Sequence, residues 1–359
     1  MEINRPELVS ALSKLKTAVG GKSSAPVFTW LLMEPGPYGL TLRTCNEHLS
    51  IEIEMAADIA EPVAVVYQAF ADAVGAMSDA TLVLDVVGTA LVLRGQHAEV
   101  ELETVNADQY PDPPRLTSVR DITTMNRDGW IDLLTMMAPA AAKDITRPML
   151  ASVLVGKRAV AAADGYRAHM SGSTYGDHVL LPPTMVGALV AALKGGAVDT
   201  DFTLRAGEFW AQMAIGSVTI SGRLVAGTYP QLGKIIEPLA KTKPRATITI
   251  KAMLEALKIA MALRSELAIV RLKLERGELT LSAKPANNAS RAVARVVVAD
   301  ADHADWQIAV NGAYLRDALN AMAIIGTTCQ LVVIDGKTPL GLNNGDAWAV
   351  VMPMTVGAV

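Results

Sequence analysis

Residues that could do chemistry are scattered thinly along this chain. The segment Gly20–Ser24, "GGKSS", imitates the end of a phosphate-binding loop, in which backbone N–H groups and a lysine cradle phosphates. The first glycine that such a loop requires falls at Lys16, and the segment follows a helical pattern instead of a strand, so nucleotide binding is not expected. No serine sits in a GxSxG elbow, and the histidines at 48, 97, 169, 178 and 303 show no HExxH spacing. One Asp/His cluster exists, "DADHADW" at Asp300–Trp306, holding Asp300, Asp302, His303 and Asp305. Its spacing matches no usual zinc or calcium pattern, and it reads as a solvated loop. The expectation is a protein without a catalytic site, a metal or a cofactor.

The elements that position side chains repeat. Three copies of one plan recur at a period of roughly 120 residues. Each copy opens with an amphipathic helix, at 5–19, 128–138 and 251–263, and carries a second near its middle, at 67–77, 182–193 and 311–322. Between them lie short β-rich runs such as "GLTLRT", "LSIEIEM", "TLVLDVV", "ALVLRG", "VTISGRLV", "ATITI" and "CQLVVID", which predict antiparallel strands. The expected class is α+β, two helices covering a sheet in each of three domains, 1–118, 119–243 and 244–359. Proline-rich joints at 109–116 and 229–245 separate the copies, and their prolines favour extended chain over helix.

The first helix shows the local logic. Asn4 and Glu7 have capping-box spacing, Pro6 suits a first turn, and Gly20–Gly21 stops the pattern. Leu8, Leu12, Leu15 and Val19 form the buried stripe, while Ser10, Lys14 and Thr17, flanked by Ser13 and Lys16, make a small basic face.

Composition narrows the function classes. The 32 basic against 36 acidic residues exclude bulk coating of nucleic acid, so any such contact must come from local clusters. No apolar run reaches the roughly 18 residues of a membrane span, and the start lacks the pattern of a secretory signal. Cys45 and Cys329 lie far apart, neither sits in a CxxC pair, and two thiols cannot staple 359 residues, which fits a reducing compartment. A soluble cytoplasmic protein is expected. The chain closes with "AWAVVMPMTVGAV", Ala347–Val359, an apolar terminus where chains usually fray into water.

On this triplicated plan, "AVAAADGYRAHM" at 159–170 and "VVMPM" at 350–354 closely resemble the bacterial DNA polymerase sliding clamps, the beta subunits of the replicative polymerase. Further support comes from "LSKLKTAVGGKSSAPV", "RPML" at 147–150, "SGRLVAGTYP" at 221–230 and "IAVNGAYLRDAL" at 308–319, in the same order along the whole chain.

The resemblance implies a homodimeric six-domain ring around duplex DNA, with no catalysis of its own. It implies sequence-independent phosphate contacts, for which Lys14, Lys16, Lys22, Lys194, Arg223, Lys251, Lys258 and Arg316 are the candidates. The helix at 67–77 has no basic residue, so contact there should be poor. It also implies a cleft that takes short hydrophobic motifs of the polymerase catalytic subunit, the clamp loader and repair proteins. Position by position, that cleft falls on Leu150, Ala163, Gly165, Arg167, Ala168, Pro238, Asn311, Tyr314, Leu340, Val350, Val351, Met352, Pro353 and Met354. Without the resemblance, Val350–Met354 reads as a last core strand ended by proline. Val100 and Leu102 on one side and Ala262 and Leu263 on the other match the positions that meet across the dimer.

This chain departs from the family pattern at several places. Ala163 and Ala168 stand where threonine and leucine are usual, and Ala262 replaces a larger side chain. The usual ending of a basic residue and leucine becomes Thr355 and Val356, with Gly357, Ala358 and Val359 added. Smaller walls enlarge one subsite and imply an altered motif preference. The rival expectation is a peptide-binding scaffold, derived from a clamp, that no longer encircles DNA.

Overall fold

The computed structural model describes all residues except 22–23, 145, 173–176, 196–199, 264–267, 285–289, 303–304 and 355–359. The described residues fold into two compact units, Met1–Trp130 with Leu181–Leu224 and Ile131–Leu180 with Val225–Val359.

Among the described residues, the first unit holds one twelve-stranded antiparallel sheet. Its central seam joins the first third of the chain to the middle third: strand Leu49–Met55 pairs with Val218–Arg223, Ile51 opposite Ile220 and Ile53 opposite Val218. All four side chains are buried. The helices Arg5–Leu15, Tyr67–Ala76 and Pro183–Lys194 lie in this unit.

The second unit contains a four-stranded sheet and most of a nine-stranded one. In the larger sheet the seam is Arg167–Gly172 against Ala347–Val351, with Ala168 opposite Val350 and Arg167 opposite Val351. The second flank of Ala347–Val351 pairs with Leu340–Asn344. Residues 347–351 of that apolar segment therefore form an interior strand of a sheet. Helices Ile250–Ala260 and Gly312–Ile325 pack on each other in this unit.

Asparagine caps recur at helix starts. The Oδ1 of Asn4 accepts from the Glu7 N–H, that of Asn126 from Gly129, and that of Asn311 from Ala313 and Tyr314, satisfying donors that a helix start leaves open. Two expectations need correction. Helix 5–19 ends at Leu15 and tightens into a 3-10 turn over Lys16–Ala18. The joint 229–245 is not all extended, because Gly233–Ala240 is helical with Pro238 inside it. There Leu232, Ile236 and Leu239 recur at helical spacing and are buried, while Pro238 sits on the exposed side. Burial of that stripe outweighs the cost of an interior proline in so short a helix.

Candidate functional site

The predicted cleft residues all lie in the second unit, and strand alternation divides them between two faces of the nine-stranded sheet. On one face, Ala163, Ala168 and Val350 share an apolar cluster with Met170, Tyr229, Leu232, Ile236 and Leu239, fringed by Met149 and Trp348. Leu150 is half-buried beside Met149, and Pro238 is exposed on the helix that covers this cluster.

On the other face, the guanidinium of Arg167 is the organising group. Its Nε donates to Asp164 Oδ2 at 3.1 Å and its Nη1 pairs with Asp317. It also lies 4.4 Å from the ring centroid of Tyr314, a cation–π distance. Tyr314 and Asp317, three residues apart on helix Gly312–Ile325, reach it from one helical face. Arg167 is thus buried but held on three sides.

The two faces meet at a tight turn. Asp164 Oδ1 accepts from the N–H groups of Tyr166 and Arg167, and Gly165 has φ +93°, a conformation that suits glycine. This turn thrusts Tyr166 outward, 62% exposed, with its ring 6.4 Å from that of Tyr314 and inclined by 24°. The departing tail is tied to it: Met352 N–H donates to the Tyr166 carbonyl, and Met354 N–H to that of Ala309, with Pro353 bridging Val310. Met352 is 38% exposed, whereas Leu340, Val350 and Val351 are fully buried strand residues, as are Ala163 and Ala168. Those five form the walls' interior, and Gly165, Tyr166, Pro238 and Met352 are the exposed groups. A groove of about 1250 Å³ in this unit takes in Pro353 and Met354 but no other predicted cleft residue.

Tyr166, Asp164 and Asp317 were missing from the predicted set. The Asp-Gly turn signal pointed at the first two; Asp317 is 150 positions from Arg167 and gave none.

His169, next on the Arg167 face, is fully buried, with Nδ1 2.7 Å from the Met136 carbonyl oxygen and Nε2 without a partner among the described residues. Burial pushes its pKa down to about 4.

The predicted phosphate-contacting residues divide between the units. In the first, Lys14 and Lys16 end one helix and Lys194 ends another. The Lys14 side chain reaches within 3.6 Å of a Cβ position on Gly195, so the ends of these two helices lie together. Arg223 is exposed at the end of its strand. In the second unit, Lys251 and Lys258 are exposed on one helix and Arg316 on its neighbour, 3.7 Å from Asp317. Lys22 lies outside the described residues. Helix Tyr67–Ala76 exposes Gln68 and Asp72, hydrogen-bonded to each other, and no cation.

Of the Asp300–Trp306 cluster, Asp302 pairs with Arg245 at 2.7 Å, Asp305 accepts from the Arg276 N–H, and Asp300 accepts from Thr247. Each carboxylate faces a different partner; His303 lies outside the described residues. Val100 and Leu102 are half-buried on strand Glu99–Val105, and Ala262 and Leu263 follow the end of helix Ile250–Ala260, Ala262 exposed.

Family models for the DNA polymerase III beta subunit match the chain at both ends, the N-terminal domain over residues 1–114 and the C-terminal domain over 239–355. The chain belongs to the DNA polymerase III beta subunit family. Beta subunits are sliding clamps, non-catalytic processivity factors of DNA replication that work as homodimers with DNA and polymerase as partners. Solved structures agree in fold across the whole length. A sliding clamp from Bacillus subtilis superposes with a TM-score of 0.87 at 19% identity, over 99% of this chain and 98% of that one. A beta subunit from Pseudomonas aeruginosa gives 0.87 at 19%, and one from Thermotoga maritima 0.86 at 20%, each over 99% of both chains. Among the described residues, no helix is long and apolar enough to cross a membrane.

Proposed function

We propose that two copies of this chain close a ring of six domains, three from each at 1–118, 119–243 and 244–359, around duplex DNA in the cytoplasm. The ring performs no chemistry. Lys14, Lys16, Lys194 and Arg223, with Lys251, Lys258 and Arg316, touch phosphates without reading bases, as sliding requires. Short hydrophobic motifs of the polymerase, the clamp loader and repair proteins dock across the Tyr166 turn and the Met352–Met354 tail. Val100 and Leu102 of one copy face Ala262 and Leu263 of the other.

The observation that carries the docking reading is the exposed Tyr166–Met352 pair, joined through the backbone and seated on a guanidinium locked by Asp164, Asp317 and Tyr314. A rigid polar base under an adaptable aromatic and thioether surface suits several related peptides. The deciding experiment loads the protein onto nicked circular DNA with a clamp loader and measures retention before and after linearisation. Loss only on linearisation is expected. A loader-competent protein that is not retained even on circles would be a peptide-binding scaffold instead.

A further inference from the structure

We infer that the groove beside Pro353 and Met354 takes an acidic segment of a docked partner, next to that partner's hydrophobic motif. This deepens the docking reading above and rests on it.

The groove, of about 1250 Å³, runs between the four-stranded sheet on one side and the loop 334–337 with Pro353 and Met354 on the other. Its sheet wall is built by strand pairing. Ile269–Glu275 and Trp306–Asn311 are antiparallel neighbours, with Arg271 opposite Ala309 and Lys273 opposite Gln307, and opposed residues share a face. At Gly336 a Cβ would lie 2.9 Å from the Gln307 carbonyl oxygen, so loop and strand touch there through their backbones and give the groove a floor.

The charges of the lining are unequal. Arg245, Arg271, Lys273 and Lys337 stand against Asp305 and Asp335. Both carboxylates already have donors: Asp305 accepts from the Arg276 N–H, and Asp335 from those of Lys337 and Thr338. Arg245 is held by Asp302 and by the carbonyls of Val333 and Ile334, and Lys273 pairs with Glu275. Arg271 and Lys337 are exposed and have no ion pair among the described residues. Trp306 lines the same groove, and its buried indole N–H has no acceptor among the described residues, so an acceptor entering beside it would satisfy it. Carboxylates meet all three demands, because they accept strong hydrogen bonds from cationic and neutral donors alike.

Two observations favour a peptide over nucleic acid. The cations lie on the wrong face for DNA: Val270, Leu272 and Leu274 alternate with Arg271 and Lys273, are fully buried, and turn to the side where helix Ile250–Ala260, bearing Lys251 and Lys258, packs on this sheet. The groove is also continuous with the docking surface. Met352 is tied to the Tyr166 turn and Met354 lines the groove, two residues and roughly 7 Å of extended chain apart. A motif seated at Tyr166 therefore carries its flanking residues to Arg271 and Lys337.

The test uses the full-length protein and rhodamine-labelled peptides in fluorescence polarisation: an apolar block, Leu-Leu-Phe, an acidic block, Glu-Asp-Glu-Asp, and the two joined in either order. One joined peptide should bind about tenfold more tightly than the apolar block, and the gain should shrink as salt rises. R271E/K337E should abolish the gain and R271K/K337R keep it, with the apolar block bound as in wild type by both. A gain in neither order, or one that survives R271E/K337E, would overturn the inference. So would duplex DNA that loses as much affinity in R271E/K337E as the joined peptide does, or a free "TVGAV" peptide, the sequence of residues 355–359, that removes the gain by occupying the groove itself. Tyr166→Ala separates the two readings. If the apolar block binds wild type and is weakened in Tyr166→Ala while no acidic gain appears, only the groove fails. If the apolar block ignores Tyr166→Ala, the docking reading fails, and the acidic block alone decides the groove, which stands if that block binds wild type but not R271E/K337E and falls otherwise.

Discussion

The seams within the chain and the edges left open by it use the same backbone pairing but different side chains. At Leu49–Met55 against Val218–Arg223 the inward residues are Ile51, Ile53, Val218 and Ile220, and at Arg167–Gly172 against Ala347–Val351 they include Ala168, Met170, Ala349 and Val350, all buried. Along Glu99–Glu103 the exposed row is all glutamate instead, and along Ala292–Val296 it is Val293 and Arg295. A dry seam is stabilised by burial and is lost only when the fold is lost. A seam with a charged, wet face can be formed and broken in water, which a ring that must open around DNA requires. Arg167, a buried charged group inside the second seam, is matched by two carboxylates and an aromatic face.

Mutations at the closed seams should therefore cost stability of the fold. Ile51→Ala, removing a buried side chain from the first seam, should lower unfolding free energy by about 4 kcal/mol in denaturant titrations. Acid should act at the second seam through His169. Its folded form is neutral, and the unfolded chain takes up a proton near pH 6.5 whereas the folded chain resists until about 4. Stability is whole above pH 6.5 and falls as pH drops towards 4, by about 3 kcal/mol at most. His169→Gln should flatten that slope, read from melts at a series of pH values. Arg167→Ala strands Asp164 and Asp317 and should cost about 2 kcal/mol, less than for a fully buried pair because Asp317 reaches water.

The open edge should behave in the opposite way. Glu101→Lys should shift dimerisation while leaving unfolding free energy within about 0.5 kcal/mol of wild type, as usual for an exposed site. A stability loss as large as that of Ile51→Ala would erase the distinction between the two kinds of seam. The smallest effect is expected at the phosphates: Lys16→Ala or Lys194→Ala should each lower the salt slope of DNA binding by about 1.

Much of the scaffold was legible because its signals are local. Asn4 and Pro6 set the first helix where the spacing placed it, and each of the predicted mid-repeat helices starts within two residues of its expected position. The helix over Gly233–Ala240 was obscured by Pro238, although the spacing of Leu232, Ile236 and Leu239 carried the contrary signal. The site was legible only in part, because it is built from long-range pairing. Nothing near Arg167 reveals that Asp317 will neutralise it, nor that alternation will put Ala168 and Arg167 on opposite faces. The charged edges were invisible for a related reason: whether a strand is interior or at an edge depends on neighbours far away in sequence.

The position of Ala347–Val351 also bears on how the protein is made. This strand fills a slot between Arg167–Gly172 and Leu340–Asn344, so the nine-stranded sheet lacks an interior member until residues 347–351 have been synthesised. On a ribosome adding roughly 5–20 residues per second, the middle third of the chain emerges long before its partner strand exists. The first unit needs nothing beyond Leu224 for its own sheet and can close during synthesis. The second cannot complete its larger sheet before Val351 has emerged, and until then it keeps an open slit beside Ala168.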